Sequence, residues 1–190
     1  MKTRLCSLAA SMLLMMSLQG CFPVVAAGVG TGVMMAQDRR SNHAFLEDQR
    51  METRISNLIN KEFKGVMHVN ATSFNLDVLL TGEAPEEYTR IEIGKLVSRI
   101  DQVRSVNNEL LISANSSLVS RSNDSLITSN VKLRFLNDKS FNAEHVKVVT
   151  ENGTVFLLGI VNHAEADAAS EIASTTSGVK RVVKLFEYLD

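Results

Sequence analysis

The four histidines are the side chains of this chain that could do acid–base or metal chemistry near neutral pH. They are His43, His68, His145 and His163, and none of them belongs to an HxH or HExxH pattern that would place two imidazoles on one zinc ion. His68 and His145 each stand directly before a predicted strand, which allows a paired metal or pH-sensing role, although surface histidines at loop ends are commoner. No GxSxG sequence and no clustered Asp, Glu and His spacing indicates a nucleophile or a metal centre. The sequence therefore predicts no enzyme, no catalytic residue, no metal and no cofactor.

Cys21 is the residue for which the sequence does predict a chemical modification. A basic N-terminus precedes an apolar run at residues 5–18, and Leu-Gln-Gly at residues 18–20 stands directly before the cysteine. A basic start, an apolar run too short to cross a membrane and a small residue before the cleavage point are typical of a secretory signal peptide. The motif resembles the bacterial lipobox, which implies a diacylglyceryl group on the Cys21 thiol and an acylated N-terminus. The alternative is ordinary cleavage further on, near residues 24–28.

Cysteine usage favours the lipidated form. The chain has two cysteines, Cys6 and Cys21, and cleavage would remove the first of them. The remaining thiol cannot form an internal disulfide, whereas several acyl chains on it would give firm anchoring at about 0.8 kcal/mol per buried methylene. Residues 1–20 are predicted to be the signal peptide, and residues 21–46 the lipidated cysteine with a flexible tether. Within that tether the basic pair Arg39 and Arg40 is predicted either to touch lipid headgroups or to be solvated.

The charge balance argues against nucleic acid as a partner. The chain has 20 basic and 21 acidic side chains, so it has no overall positive field. Removing the signal peptide takes away two basic side chains, 20 − 2 = 18 against 21, and leaves a net charge of −3. Contact between the folded part and an anionic bilayer must therefore come from a local patch.

An internal repeat indicates two copies of one module. Residues 68–84 align without a gap with residues 145–161, at an offset of 77, and flanking segments align at an offset of 76. Val78 then meets Val155, and Gly82 meets Gly159. The modules are predicted at residues 47–114 and 124–190, and a linker rich in Ser and Asn is predicted at residues 115–123.

Each module is predicted to have the order helix, strand, strand, helix, strand. In the first module the first strand is predicted at residues 66–71 and the closing strand at residues 103–113. The first helix carries an apolar face, the strands alternate, and Asn152-Gly153 is a strong signal for a hairpin turn between two strands. The fold class is therefore α+β, with two helices packed on a three-stranded mixed sheet in each copy.

The order and the residues resemble the BON domain. The second copy has VFLLGIV at Val155–Val161 and SGVKRVVKLF at Ser177–Phe186, whereas the first copy departs from the pattern at Asp101 and Gln102. Together with the lipobox, this resembles the family of dual BON-domain outer-membrane lipoproteins. The resemblance implies a lipid-anchored protein on the periplasmic side of the outer membrane that supports membrane integrity and can concentrate at the division septum. It also implies contact with the outer-membrane protein assembly machinery, and Phe22 in place of the Asp that retains lipoproteins in the inner membrane agrees with this location.

The segment Ser125–Leu136 is predicted to be a helix with two apolar faces, where one face would suffice to pack it on its module. At 100° per residue the inward face comprises Ile127, Val131 and Phe135, and the outward face comprises Leu126, Leu133 and Leu136. The equivalent outward positions in the first module are polar: Arg50, Asn57 and Asn60. Only the second module is therefore predicted to carry an extra apolar face. Asp124 is predicted to be the N-cap of this helix.

Lys132, Arg134 and Lys139 are predicted to border the outward leucines, and leucines surrounded by basic side chains suit contact with anionic lipid. The resemblance implies the same, because in that family this helix binds phospholipid, so phosphatidylglycerol and cardiolipin are the expected ligands. Two alternatives remain open: the leucines pack against the first module, or they dock on a periplasmic protein.

Overall fold

The first module begins with a long helix and ends with a broken strand. In the computed structural model, which describes residues 38–63 and 67–189, its elements are helix α1 (Asn42–Glu62), strands β1 (Val69–Phe74) and β2 (Asp77–Ala84), helix α2 (Glu87–Ser98) and strands β3 (Ser105–Asn108) and β4 (Leu111–Ile112). The predicted signal peptide, Cys21 and most of the predicted tether lie outside the described residues.

The second module repeats this order. Its elements are helix α3 (Leu118–Asn137), a short 3-10 turn (Ala143–His145), strands β5 (Val146–Glu151) and β6 (Thr154–Val161), helix α4 (His163–Ser174) and strand β7 (Arg181–Tyr188). In each module the first two strands pair antiparallel, and the second and third strands pair parallel. The predicted α+β fold with helices on a mixed sheet is confirmed.

Two aligned glycines allow the central strand of each module to approach the residue before the first strand. A Cβ atom on Gly82 would lie 2.0 Å from the carbonyl oxygen of His68, and one on Gly159 would lie 2.5 Å from the carbonyl oxygen of His145. Both distances are far below van der Waals contact, so only glycine fits. This close approach explains why the repeat keeps Gly at both positions.

Strand β6 is buried on both of its faces, as its nearly continuous apolar sequence requires. Val155, Leu157 and Val161 pack with α3 and α4 in the core of the second module. The alternate residues Phe156, Leu158 and Ile160 pack with Phe74 and Leu79 of the first module. The two sheets therefore contact each other through the faces that their helices leave free.

Polar contacts surround this contact between the sheets. The Arg104 guanidinium lies 2.6 Å from the Glu187 carboxylate, and the Lys147 ammonium lies 2.7 Å from that of Glu52. Each pair joins one module to the other. The modules are therefore held by an apolar centre with ion pairs at its edge, an arrangement that the sequence did not indicate.

Helix α3 begins earlier than predicted, so residues 118–123 of the predicted linker are helical. The helix starts at Leu118, and the hydroxyl of Ser117 accepts a hydrogen bond from the backbone N–H of Ser120 at 3.1 Å. Helix α1 likewise begins at Asn42, inside the predicted tether, because Ser41 caps it in the same way. Ser and Asn, which favour loops in a sequence, here favour helix N-termini.

Asp124 is not the N-cap that the sequence predicts. It lies inside α3, buried, and its carboxylate accepts hydrogen bonds from the backbone N–H groups of Asn152 at 2.9 Å and Gly153 at 2.8 Å. Asp48 of α1, the aligned residue at an offset of 76, accepts in the same way from the turn at Asn75 and Leu76. Each module therefore fixes its β-hairpin to its first helix through one buried carboxylate.

The remaining differences concern strand bounds. Strand β1 runs from Val69 to Phe74, about three residues later than predicted from residues 66–71. The closing strand of the first module, predicted at residues 103–113, is interrupted after Asn108 and resumes at Leu111.

Candidate functional site

The outer side of α3 carries five exposed apolar side chains. The exposed fractions are 77% for Leu118, 72% for Val119, 62% for Leu126, 57% for Leu133 and 69% for Leu136. Side chains this exposed are not packed against the first module. We call these five residues the α3 apolar face.

The five members of the α3 apolar face lie on one side of the helix, and Ser122 and Ser129 lie between them. At 100° per residue its five members fall within an arc of about 100°. From Leu118 to Leu136 they extend along about 27 Å of the helix axis. Leu118 and Val119 lie in the segment that the sequence indicated as a linker, which is why the predicted face contains only its C-terminal three leucines.

The opposite side of α3 fixes the orientation of this face. Ile127, Val131 and Phe135 are at most 9% exposed and belong to the core of the second module. These are the inward residues that the sequence predicts. Because they anchor the helix, the α3 apolar face points away from the module.

Serine side chains on α3 are folded back onto their own helix. The hydroxyls of Ser122, Ser125 and Ser129 donate to the carbonyl oxygens of residues four positions earlier, at 2.9, 3.0 and 2.9 Å. This bond satisfies the hydroxyl donor without water. These three serines therefore oppose an apolar contact less than serines with unbonded hydroxyls would.

The predicted basic residues behave in two different ways. Lys132 and Lys139 are exposed. Arg134 instead donates to the carbonyl oxygen of Ile172 at 2.7 Å and to the hydroxyls of Thr176 at 2.8 Å and Thr175 at 3.0 Å. These groups form the C-terminal end of α4, where a cation is stabilised. Arg134 therefore ties α3 to α4 in this structure.

Asp138 adds a negative charge at the end of α3. It accepts from the hydroxyl and from the backbone N–H of Ser140, the latter at 2.7 Å. These bonds hold the pKa of Asp138 below its usual value. The negative charge of Asp138 thus partly offsets the positive charge of the neighbouring Lys139. Lys132 is the basic side chain closest to the middle of the α3 apolar face.

Arg39 and Arg40 are neither solvated nor free for headgroups. The Arg39 guanidinium lies 2.6 Å from the Glu165 carboxylate and holds the pKa of that carboxyl at about 2. Arg40 pairs with Asp38 at 2.6 Å and with Asp48 at 2.8 Å. The end of the predicted tether is therefore attached to the folded part.

A second polar cluster lies where the modules meet. His68 Nδ1 is 3.0 Å from a carboxylate oxygen of Glu83, and the Asn70 side-chain amide is 3.3 Å from that of Glu151. Burial raises the pKa of Glu151, and the neighbouring Glu83 charge adds to that rise. The aligned His145 has a different partner, Glu165, at 3.4 Å. The sequence did not indicate this cluster because Glu83 and Glu151 belong to different modules.

The class of protein follows from the duplicated fold and from family comparison. The family description "BON domain" matches residues 47–114 and 123–190. The chain therefore belongs to the BON-domain family and carries two copies of the domain. Among the described residues, no helix is both long and apolar enough to cross a membrane.

The chain is also similar to individual proteins. The chain is 39% identical over 175 residues to the Outer membrane lipoprotein DolP of Haemophilus influenzae, covering 91% of each chain. It is 33% identical over 154 residues to the 21 kDa hemolysin of Actinobacillus pleuropneumoniae, covering 80% of this chain and 79% of that one. A solved structure of CdsD, a structural protein of the type III secretion system of Chlamydia trachomatis, is 16% identical and covers 76% of this chain and 92% of its own, with a TM-score of 0.27. The chain is thus a DolP-like dual BON-domain protein, and this similarity supports an outer-membrane lipoprotein.

Proposed function

We propose that this protein is a non-enzymatic outer-membrane lipoprotein that binds anionic phospholipid through the α3 apolar face. The observation that carries the proposal is the stripe itself: five apolar side chains stay exposed on a helix whose other side is buried. An exposed apolar stripe of this length is typical of a surface that meets a membrane or another protein.

The energy available suits a protein that is already anchored. Full burial of an aliphatic side chain contributes about 1.5–3 kcal/mol, so the exposed parts of five such side chains offer about 5 kcal/mol before the cost of association. Lys132 adds about 1 kcal/mol near an anionic surface, and Lys139 adds less because Asp138 partly offsets its charge. Such binding is modest for a free protein and is measurable at high lipid concentration, and acyl chains on Cys21 would raise the effective concentration of the face at the bilayer.

The name of one relative supports the proposed location. The relative from Haemophilus influenzae is named an outer membrane lipoprotein, and the lipobox at Cys21 agrees with that name. We place this protein on the periplasmic side of the outer membrane, with phosphatidylglycerol or cardiolipin as ligand and a role in membrane integrity, including at the division septum.

Co-sedimentation with vesicles tests the lipid contact. The fragment should begin at residue 37, because Arg39 and Arg40 form ion pairs inside the folded unit, and residues 37–190 contain both hydrophobic cores. It is mixed with phosphatidylglycerol vesicles, with cardiolipin vesicles or with neutral phosphatidylcholine vesicles. The variant Leu126→Glu, Leu136→Glu places two charges on the α3 apolar face.

The matched control carries the same two charges on the first module. Tyr88 and Ile112 are 69% and 48% exposed there, so Tyr88→Glu, Ile112→Glu should fold and bind like the native fragment. The expected result is binding to anionic vesicles that the α3 variant loses by at least about tenfold, since losing two buried leucines removes more than 1.4 kcal/mol. If the folded native fragment does not bind anionic vesicles, the lipid proposal is wrong. The α3 apolar face would then be a docking surface for a periplasmic protein such as the outer-membrane protein assembly machinery.

A further inference from the structure

His68, Glu83 and Glu151 bring three metal-ligating groups together at the junction of the two modules. His68 precedes β1, Glu83 lies near the end of β2, and Glu151 ends β5. One ligand atom from each side chain lies within 4.8 Å of those of the other two. Because Glu151 belongs to the second module, the cluster exists only when the modules are docked.

The two carboxylates of this cluster are buried without a direct ion pair to a permanently charged side chain among the described residues. Glu83 is 3% exposed and Glu151 is 6% exposed. Among the described residues, neither forms an ion pair with a lysine or an arginine, and the only imidazole in contact is that of His68. Buried carboxylates are normally paired with a cation or bound to a metal.

The Asn70 side chain contacts the side of the His68 imidazole that faces away from Glu83. Its amide nitrogen lies 3.3 Å from His68 Nε2 and 3.3 Å from a Glu151 carboxylate oxygen. A single hydrogen-bond donor thus stands between two groups that both have lone pairs. His68 Nδ1, which faces Glu83, is therefore the ring nitrogen available to a metal ion shared with that carboxylate.

A cavity of about 150 Å³ lies beside the cluster, and His68, Asn70 and Glu151 form part of its wall. A water molecule occupies about 30 Å³ of liquid, so the cavity has room for water as a further metal ligand. Arg121 lines the same cavity, and its Nε atom is buried without a hydrogen-bond partner among the described residues. A water molecule in this cavity would supply the acceptor that this donor lacks.

We propose that His68, Glu83 and Glu151 bind one divalent transition-metal ion of the zinc type, with water as the fourth ligand. One imidazole and two carboxylates are a donor set that zinc accepts, at bond lengths of about 2.0–2.2 Å. Tetrahedral ligands at that length lie about 3.4 Å apart, compared with 3.0 Å between His68 Nδ1 and the Glu83 carboxylate and at most 4.8 Å within the cluster, so metal binding requires only small side-chain movements. The bound ion links the two modules, and its affinity therefore depends on their docking.

The test uses residues 37–190 without a histidine tag, stripped with a chelator and titrated with zinc alone by calorimetry. Cobalt is the second probe, because its visible absorption reports tetrahedral coordination. Glu151→Gln and His68→Gln remove one ligand each and keep the size of the side chain. His145→Gln is the matched control, since His145 occupies the aligned position beside a carboxylate that Arg39 already neutralises.

The expected result is one zinc per chain, a rise in Tm of about 5 °C at saturating zinc, and at least about tenfold weaker binding in both ligand variants. His145→Gln should bind like the native fragment. Unfolding without metal checks that all three variants fold. The proposal is overturned if the native fragment binds no zinc at a 1:1 ratio, if both ligand variants bind as tightly as the native fragment, or if His145→Gln is the variant that loses binding.

Discussion

Replacing Asp124 with alanine should destabilise the second module strongly, although the residue is one carboxylate in a helix. Its two oxygens accept the backbone N–H groups of Asn152 and Gly153, which form the tip of the β5–β6 hairpin. The Gly153 bond is fully buried, so water cannot replace the lost acceptor there. Alanine would leave both donors without a partner.

The size of the effect follows from these two donors. A buried donor without a partner costs about 1–3 kcal/mol, and the Asn152 N–H, which is partly exposed, should cost less than that of Gly153. We expect the free energy of unfolding to fall by about 3 kcal/mol. Asp124→Asn keeps one acceptor oxygen but turns an amide N–H₂ toward the other donor, so it should lose a similar or slightly smaller amount.

Urea unfolding followed by far-ultraviolet circular dichroism measures this change, since the chain has no tryptophan for fluorescence. With a slope of about 2 kcal/mol per molar urea, the midpoint should fall by about 1.5 M. Asp167→Ala is the control, because that side chain is 80% exposed and should change stability by less than about 0.5 kcal/mol. An Asp124→Ala midpoint within about 0.5 M of the Asp167→Ala midpoint would refute the role of this carboxylate.

Three further predictions concern the ion pair of the tether, a close backbone approach and the contact between the sheets. The pKa of Glu165 is about 2 in the folded protein, compared with 4.5 for a free side chain. Solvent screening reduces the resulting stabilisation to about 2 kcal/mol, which is present above pH ~4.5 and is lost as the pH falls toward 2. Acid unfolding curves should show this loss, and Arg39→Ala should remove most of it. Gly82→Ala should lower the free energy of unfolding by more than about 2 kcal/mol, because the new Cβ would lie 2.0 Å from the His68 carbonyl oxygen. If the variant unfolds at the same Tm as the native protein, this reasoning is wrong. Leu158→Ala should lower the free energy of unfolding by about 2–5 kcal/mol. It should also speed the hydrogen exchange of backbone amides at the contact between the sheets. Unchanged exchange in both modules would show that the modules do not depend on this contact.

The sequence predicted the fold well because the repeat and the strand pattern are local signals. The run at Val155–Val161 alternates between residues that face the helices and residues that face the other sheet, and both kinds are apolar. That pattern identifies a strand buried on both faces, but it does not name what covers the second face. The partner is Phe74 and Leu79 of the first module, and no sequence period relates the two sets.

The candidate site was predicted only in part, for physical reasons that differ from residue to residue. Leu126, Leu133 and Leu136 recur at helical spacing, so the pattern indicates their shared face. Leu118 and Val119 were missed because the serines around them are also typical of linkers. The contact of Arg134 with the end of α4 and the meeting of Glu83 with Glu151 depend on how distant elements pack, which spacing along the chain does not reveal.

The contact between the two sheets also sets how far the protein would extend from a surface bound by α3. The helices of the first module pack on one side of the paired sheets, and those of the second module pack on the other. With each layer about 10 Å thick, α1 stands about 30 Å from α3. A protein held to a bilayer by the α3 apolar face would therefore present the polar side of α1, with Arg50, Asn57 and Asn60 exposed, at a fixed height above that bilayer. The duplicated domain thus gives one copy that can face lipid and a second that faces the aqueous space beyond it.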